Sequence, residues 1–178
     1  METNTELSDW INRLAIRDLL ERYMRYNDDR AADRIADLFD EDAVFQVVGK
    51  VVEGRAAIRE FFAAPEIVDP APWTEAGELL KQPGSLHLCA NPVIDVDGDS
   101  ATSELDFQVV RRDAEGRAVT ALIGRYRDRL RRRADGRWVI TNRTAVSVAR
   151  PGEERSDAEW QRVFAHMPEE TRKRFRWE

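Results

Sequence analysis

SATSELDFQVVRR, residues 100–112, places Ala101, Ser103, Leu105, Phe107 and Val109 on one side of an extended chain. Thr102, Glu104, Asp106 and Gln108 fall on the other, because successive strand side chains point to opposite faces. The alternation predicts a strand with one buried face and one wet face. Its neighbours are cut out by turn dipeptides: SLHLCANPVIDV (85–96) runs into Asp97-Gly98, and AVTALIGRYRDRLRRR (118–133) lies between Glu115-Gly116 and Asp135-Gly136. RWVITNRTAVSVA (137–149) completes a bent antiparallel meander. In the third of these strands Arg125, Arg127, Arg129 and Arg131 oppose Leu122, Gly124, Tyr126, Asp128 and Leu130, and the arginine row reads as a solvated surface rather than a phosphate site.

The chain ahead of these strands has helical periodicity. Ser8 or Asp9 can cap a helix running to about Asn27, with Ile11, Leu14, Ile16, Leu19, Leu20, Tyr23 and Met24 at the spacings of a buried side. AADRIADLF (31–39) suggests a second helix with Ile35, Leu38 and Phe39 together, residues 43–53 a hairpin, and GRAAIREFF (54–62) a third helix. PEIVDPAPWTEAGELLKQPG (65–84) holds too many prolines for one regular element and reads as a rim. After residue 150, SDAEWQRVFAHMPEETRKRF (156–175) offers a Ser156 cap and the spaced apolar residues Trp160, Val163, Phe164 and Met167. That pattern predicts a helical extension over 151–178 that packs on the 1–150 domain or on a neighbouring subunit, with His166 structural.

Composition narrows the function classes. A chain of 178 residues with 42% hydrophobic and 35% charged residues fits one globular domain able to enclose a pocket. The net charge of −6, with arginines dispersed among acids, argues against nucleic-acid binding. Cys89 is the one cysteine, so no intrachain disulfide or thiolate cluster is possible, and a reducing cytoplasm is the expected setting. Neither a signal peptide nor an apolar run of membrane-spanning length is visible. The two histidines, His87 and His166, lack metal-ligand spacing, and no glycine-rich phosphate loop follows a strand, so cofactor-free chemistry on a small molecule is expected.

The order of AIRDLLERYMRYNDDRAADRIADLFDEDAVFQVVG, VVEGRAAIREFF, DVDGDSAT and ADGRWVITNR resembles the SnoaL-like branch of the nuclear transport factor 2-like superfamily over about residues 8–150. The resemblance implies a cone-shaped α+β barrel, three helices packed on a strongly bent sheet, in a homodimer or homotrimer formed through the sheet's open face. That superfamily spans ketosteroid isomerases, scytalone and bile-acid dehydratases, a hexachlorocyclohexane dehydrochlorinase, polyketide cyclases, epoxide hydrolases, dioxygenase small subunits and non-catalytic binding proteins. A fold of this kind does not choose among reactions.

Residue by residue, the resemblance points to Asp28 and His87. They occupy what look like the positions of an aspartate after the first long helix and a histidine on the first long strand in the dehydratase and dehydrochlorinase members. His87 would remove a proton while ionised Asp28 fixes the imidazole tautomer; the other reading is a core histidine and a helix-terminal carboxylate. Tyr23 matches a tyrosine of a bile-acid dehydratase and would assist a carbonyl or a departing hydroxyl, or simply pack. Arg143 resembles the dehydrochlorinase's pocket arginine, able to stabilise an anion, with a surface arginine as the alternative. Tyr126, Asn142, Cys89, Asn91 and Phe107 are candidates to line the cavity. The second histidine of scytalone dehydratase has no counterpart, since ELDFQVV contains none. The leading expectation is a cofactor-independent lyase, a dehydratase or related eliminase; an isomerase, a cyclase or a non-catalytic binding subunit are the alternatives.

Overall fold

The computed structural model describes residues 2–47, 50–64 and 85–148, with side chains from residue 7. The proline-rich stretch 65–84 and the expected helical extension 151–178 lie outside the described residues. The elements in chain order are α1 (Glu2–Asp28), α2 (Ala32–Ala36), β1 (Phe39–Val47), β2 (Lys50–Glu53), α3 (Arg55–Ala63), β3 (Leu86–Asp97), β4 (Ser100–Arg112), β5 (Ala118–Arg132) and β6 (Trp138–Ser147). No helix among the described residues is long and apolar enough to cross a membrane.

The six strands form one curved, unclosed sheet in the order β2-β1-β6-β5-β4-β3. All pairings are antiparallel except β1 with β6, which run parallel. The sheet is therefore mixed, where the meander alone suggested a purely antiparallel one. The α2–β1–β2–α3 excursion carries the chain away before β6 returns beside β1, and hairpin logic cannot see that pairing. Register shifts between Ala90 and Val93, Val109 and Val110, and Arg129 and Leu130 break the ladders and increase the local bend. The helices lie across the concave side, giving an α+β cone.

The alternation in β4 holds: Ala101, Ser103, Leu105 and Phe107 are buried and Thr102 and Gln108 exposed. On the outer face, β4 and β5 pair Asp106 with Arg125 and Glu104 with Arg127 across the strands, with ion contacts of 2.6 and 3.1 Å. Arg131 instead reaches the buried carboxylate of Asp40. Part of the arginine row thus answers acids of its own chain.

Helix α1 departs from the expectation in one respect. Ile16, Leu19, Leu20, Tyr23 and Met24 are buried, but Ile11 and Leu14 are exposed together with Leu7 and Trp10. These four lie at i, i+3, i+4 and i+7, on the stripe that continues through Asp18, Glu21 and Arg25, which is the outer side of the helix. The inner stripe begins at Asn12, whose amide oxygen accepts the Trp138 indole N–H at 3.3 Å. Phe39, grouped by spacing with the second helix, opens β1 instead and is fully buried.

Gly124 shows how tightly β4 and β5 meet. A Cβ built there would stand 2.5 Å from the Val146 carbonyl oxygen and 2.6 Å from the Phe107 ring, which covers this glycine and stacks on Tyr126 at a centroid distance of 4.3 Å. Gly124→Ala is expected to lower stability by about 1–3 kcal/mol through overpacking. Thermal unfolding followed by circular dichroism measures this, and an unchanged melting temperature would show that the Phe107 ring has other places to go.

Candidate active site

Helix α1 ends at Asp28, a residue type disfavoured in the last turn because the helix C-terminus already carries partial negative charge. The conflict is resolved across the fold. Asp28 Oδ1 accepts the His87 backbone N–H at 2.9 Å and meets His87 Nδ1 at 2.7 Å. The His87 side chain is 14% exposed and that of Asp28 6%, so the contact is largely shielded from solvent. An ionised Asp28 only accepts hydrogen bonds, which places the imidazole proton on Nδ1 and leaves the Nε2 lone pair outward. Asn27 Nδ2 lies 3.2 Å from that Nε2. With this tautomer the Asn27 amide donates to the lone pair.

His87 and Asp28 line a cavity of about 340 Å³. Its wall includes the rings of Tyr23, Phe45, Phe61, Phe62, Phe107 and Tyr126, with Arg30, Ser85 and Ser147 as further polar members. The aromatic side chains come from α1, β1, α3, β4 and β5, elements brought together by the curl of the sheet. Among the described residues no group of three or more histidine, cysteine, aspartate or glutamate side chains is placed to hold a metal ion.

Below this wall lies a buried charge. Arg143, in β6, has no solvent exposure and forms a two-pronged contact with Asp128 of β5 at 2.7 and 2.9 Å. Ser103 Oγ donates to the same carboxylate at 2.8 Å. The guanidinium carbon sits 4.0 Å from the Tyr23 ring centroid and 4.6 Å from that of Tyr126. Burial opposes the charge, but the Asp128 carboxylate overrides it and holds Arg143 above its ordinary range. Burial likewise pushes the Tyr23 phenol up, against the pull of the Arg143 cation, so Tyr23 remains a protonated donor at neutral pH. Tyr126 is raised well above the usual phenol range, again chiefly by burial.

The structure thus brings His87, Asp28, Tyr23, Tyr126 and Phe107 to one cavity. Arg143 is neither at the surface nor among the lining residues; it supports the two tyrosines from behind. Asn142 is buried but does not line the cavity, since neighbouring strand residues face opposite ways and Arg143 takes the inner position toward Asp128. Cys89 belongs to a separate groove with Leu88, Gln108 and Ile123, and burial raises its thiol. Asn91 is exposed at the register shift of β3, with φ of 53°, and its side chain hydrogen-bonds Asp106. Its role there is to shape the strand. Asn27, Arg30, Phe45, Phe61 and Phe62 were not singled out by the sequence reading, although EFF in the third helix announced an aromatic pair and Asn27 adjoins Asp28.

Comparison with known proteins agrees with this architecture. The SnoaL-like domain family matches residues 9–144. The chain belongs to that family. Among solved structures it resembles Rv3472 of Mycobacterium tuberculosis, a protein of unknown function, at 26% identity over 89% of this chain and 88% of the other, with a TM-score of 0.67. A nuclear transport factor 2-like protein with a cystatin-like fold from Novosphingobium aromaticivorans is 23% identical over 89% and 92% of the two chains, with a TM-score of 0.68. A protein proposed to be an aromatic ring hydroxylase, from the same organism, is 31% identical over 78% and 90%, with a TM-score of 0.57. No curated protein matches the chain. The superfamily to which this SnoaL-like chain belongs includes isomerases, dehydratases and subunits of ring-hydroxylating dioxygenases.

Removing one member of the buried ion pair strands the other. Arg143→Met is expected to cost about 3–5 kcal/mol, because Asp128 is left charged in the core. The double variant Arg143→Met/Asp128→Leu should recover much of that loss. Chemical denaturation of the two variants measures the difference; equal stability of the single and double variants would show that the pair is not coupled.

Proposed function

We propose that the protein is a cofactor-independent lyase in which His87 and Asp28 act as a general-base pair on a flat, ring-containing substrate. The observation that carries this reading is the 2.7 Å contact of Asp28 Oδ1 with His87 Nδ1 beside an aromatic-walled cavity. In the proposed step Nε2 takes a proton from a carbon next to an activating group. The C–H electron pair forms a new C=C bond as the bond to a leaving group on the adjacent carbon breaks. A departing hydroxide takes that proton back from the His87 imidazolium and leaves as water, which restores the neutral base. The Tyr23 phenol, kept protonated by burial, donates a hydrogen bond to the oxygen that gains charge. Asp28 stabilises the imidazolium that forms.

A substrate must first displace the Asn27 amide from Nε2. That contact favours the second reading, a non-catalytic member of the family whose cavity only holds a ligand, because it occupies the lone pair a base needs. Product formation decides between the two. The proposed aromatic ring hydroxylase among the relatives and the aromatic wall together support a ring-containing ligand under either reading.

If His87 is the base, His87→Ala should lower turnover by roughly two to four orders of magnitude with little change in binding. Asp28→Asn should cause much of the same loss, and the double variant should cost far less than the product of the two. Product analysis by mass spectrometry across a library of cyclic hydroxy ketones supplies the substrate, and circular dichroism confirms folding. Turnover by His87→Ala at the wild-type rate would rule His87 out as the base, whereas absence of product from every member of the library would leave the binding reading in place.

A further inference from the structure

On the convex side of the sheet the charged rows of β4 and β5 give way to an apolar one. Glu104 stands opposite Arg127 and Asp106 opposite Arg125, but the next outward position sets Gln108 opposite Ile123, and Gln108 in turn faces Leu88 of β3. Val148, directly after β6, donates its N–H to the Ile123 carbonyl at 2.9 Å. One row therefore crosses β3, β4, β5 and the end of β6, and its apolar members Leu88, Ile123 and Val148 are 48%, 47% and 59% exposed. Together with Gln108 they line a groove of about 500 Å³ on the outer face.

An exposed apolar groove of this kind marks a place where something packs. The chain continues out of it, because Val148 is at once part of the groove wall and the residue from which 149–178 follow. Pro151 and Gly152 supply turn chemistry at the start of that segment, and Ser156 with Glu159 has the spacing of a capping box. Trp160, Val163, Phe164 and Met167 recur at the spacing of one helix face, and Pro168 ends the pattern. The linker 149–155 reaches at most about 25 Å. The row from Val148 to Leu88 spans three strand spacings, about 14 Å, and a helix over 156–167 is about 18 Å long. Reach and length both match. The exposed stripe Leu7, Trp10, Ile11 and Leu14 is farther away, since Leu14 lies about 21 Å of helix before Asp28, and Asp28 is the part of α1 that meets His87 beside Leu88. We propose that residues 156–167 of the same chain dock as a helix in the outer groove, with Trp160 and Phe164 set on Leu88, Ile123 and Val148.

The test uses the full chain with its native thiol removed by Cys89→Ser and a reporter introduced by Ile123→Cys. Alkylation of that reporter by iodoacetamide, followed by mass spectrometry, should be at least about tenfold slower than in the same protein carrying Trp160→Ser and Phe164→Ser, because a docked segment must open before reagent enters. Leu88→Cys in place of Ile123→Cys should give the same result from the other end of the row. Leu14→Cys should react at one rate with and without the two tail substitutions. Protection at position 123 should hold on dilution, as a contact within one chain requires. Circular dichroism confirms that each variant is folded. The proposal is overturned if the rates at positions 123 and 88 ignore the tail substitutions, if protection fades on dilution, which gives the groove to a second copy, or if the tail shields position 14 instead.

Discussion

Arg143 holds a full positive charge in the middle of the fold with no solvent contact, and the arrangement around it is what makes that tolerable. Asp128 supplies two acceptor oxygens in the planar geometry a guanidinium requires, and Ser103 fixes the second of those oxygens from the next strand. Three strands, β4, β5 and β6, are thereby tied at one depth in the sheet. The faces of Tyr23 and Tyr126 then cover the cation, so the ends of the same rings form part of the cavity wall. Desolvation of this kind is costly, and the Asp128 carboxylate offsets it through the Nε and Nη2 donors. Aromatic contacts run from these two tyrosines to Phe39, Phe62 and Phe107.

The second constraint joins two segments far apart in sequence. Asp28 stands 59 residues before His87, yet one of its oxygens serves both the backbone and the ring of the histidine. A carboxylate in the last turn of a helix is poorly placed for the helix itself, and its partner is poorly placed for a core. Each is accounted for by the other. The backbone bond positions the start of β3, and the ring bond sets the tautomer, so the same residue anchors the fold and orients the imidazole. Arg30 repeats the pattern of local disadvantage within the same turn of chain. Natural sequences keep such conflicts chiefly where a site needs them.

Membership of the SnoaL-like family establishes the scaffold. The scaffold provides a curled sheet, helices across its concave side and a cavity between them, and reactions differ by which side chains reach that cavity. Here the described wall includes one histidine, one carboxylate facing it, aromatic rings, Asn27, Arg30 and two serines. On the outer face, β4 and β5 set acid against base in register, so much of that charge is answered within the chain before any neighbour approaches.

How much of this was legible beforehand depends on whether the information was local. The period-two alternation of residues 100–112 and the turn glycines specify strands and their inner faces, because each side chain's direction follows from its neighbours. The pattern also set Asp128 on the face opposite the arginine row, but nothing local joined it to Arg143. That pairing exists because β5 and β6 align Asp128 with Arg143, a matter of register. The exposure of Ile11 and Leu14 was hidden for a similar reason: two apolar stripes on one helix look alike until a sheet selects one of them. His87 and Asp28 could be named from a resemblance, whereas the 2.7 Å between them comes only from folding. Asn27 and Arg30 were passed over because an asparagine and an arginine near a helix end are ordinary residues in a sequence. They gain meaning only where the chain turns, since it is the closing of α1 against β3 that brings an amide to Nε2 and an arginine to the edge of an aromatic cavity. Local chemistry determined the strands, the helices and their inner faces; the contacts that decide a site join residues far apart in the chain, and those only the packed tertiary structure could set.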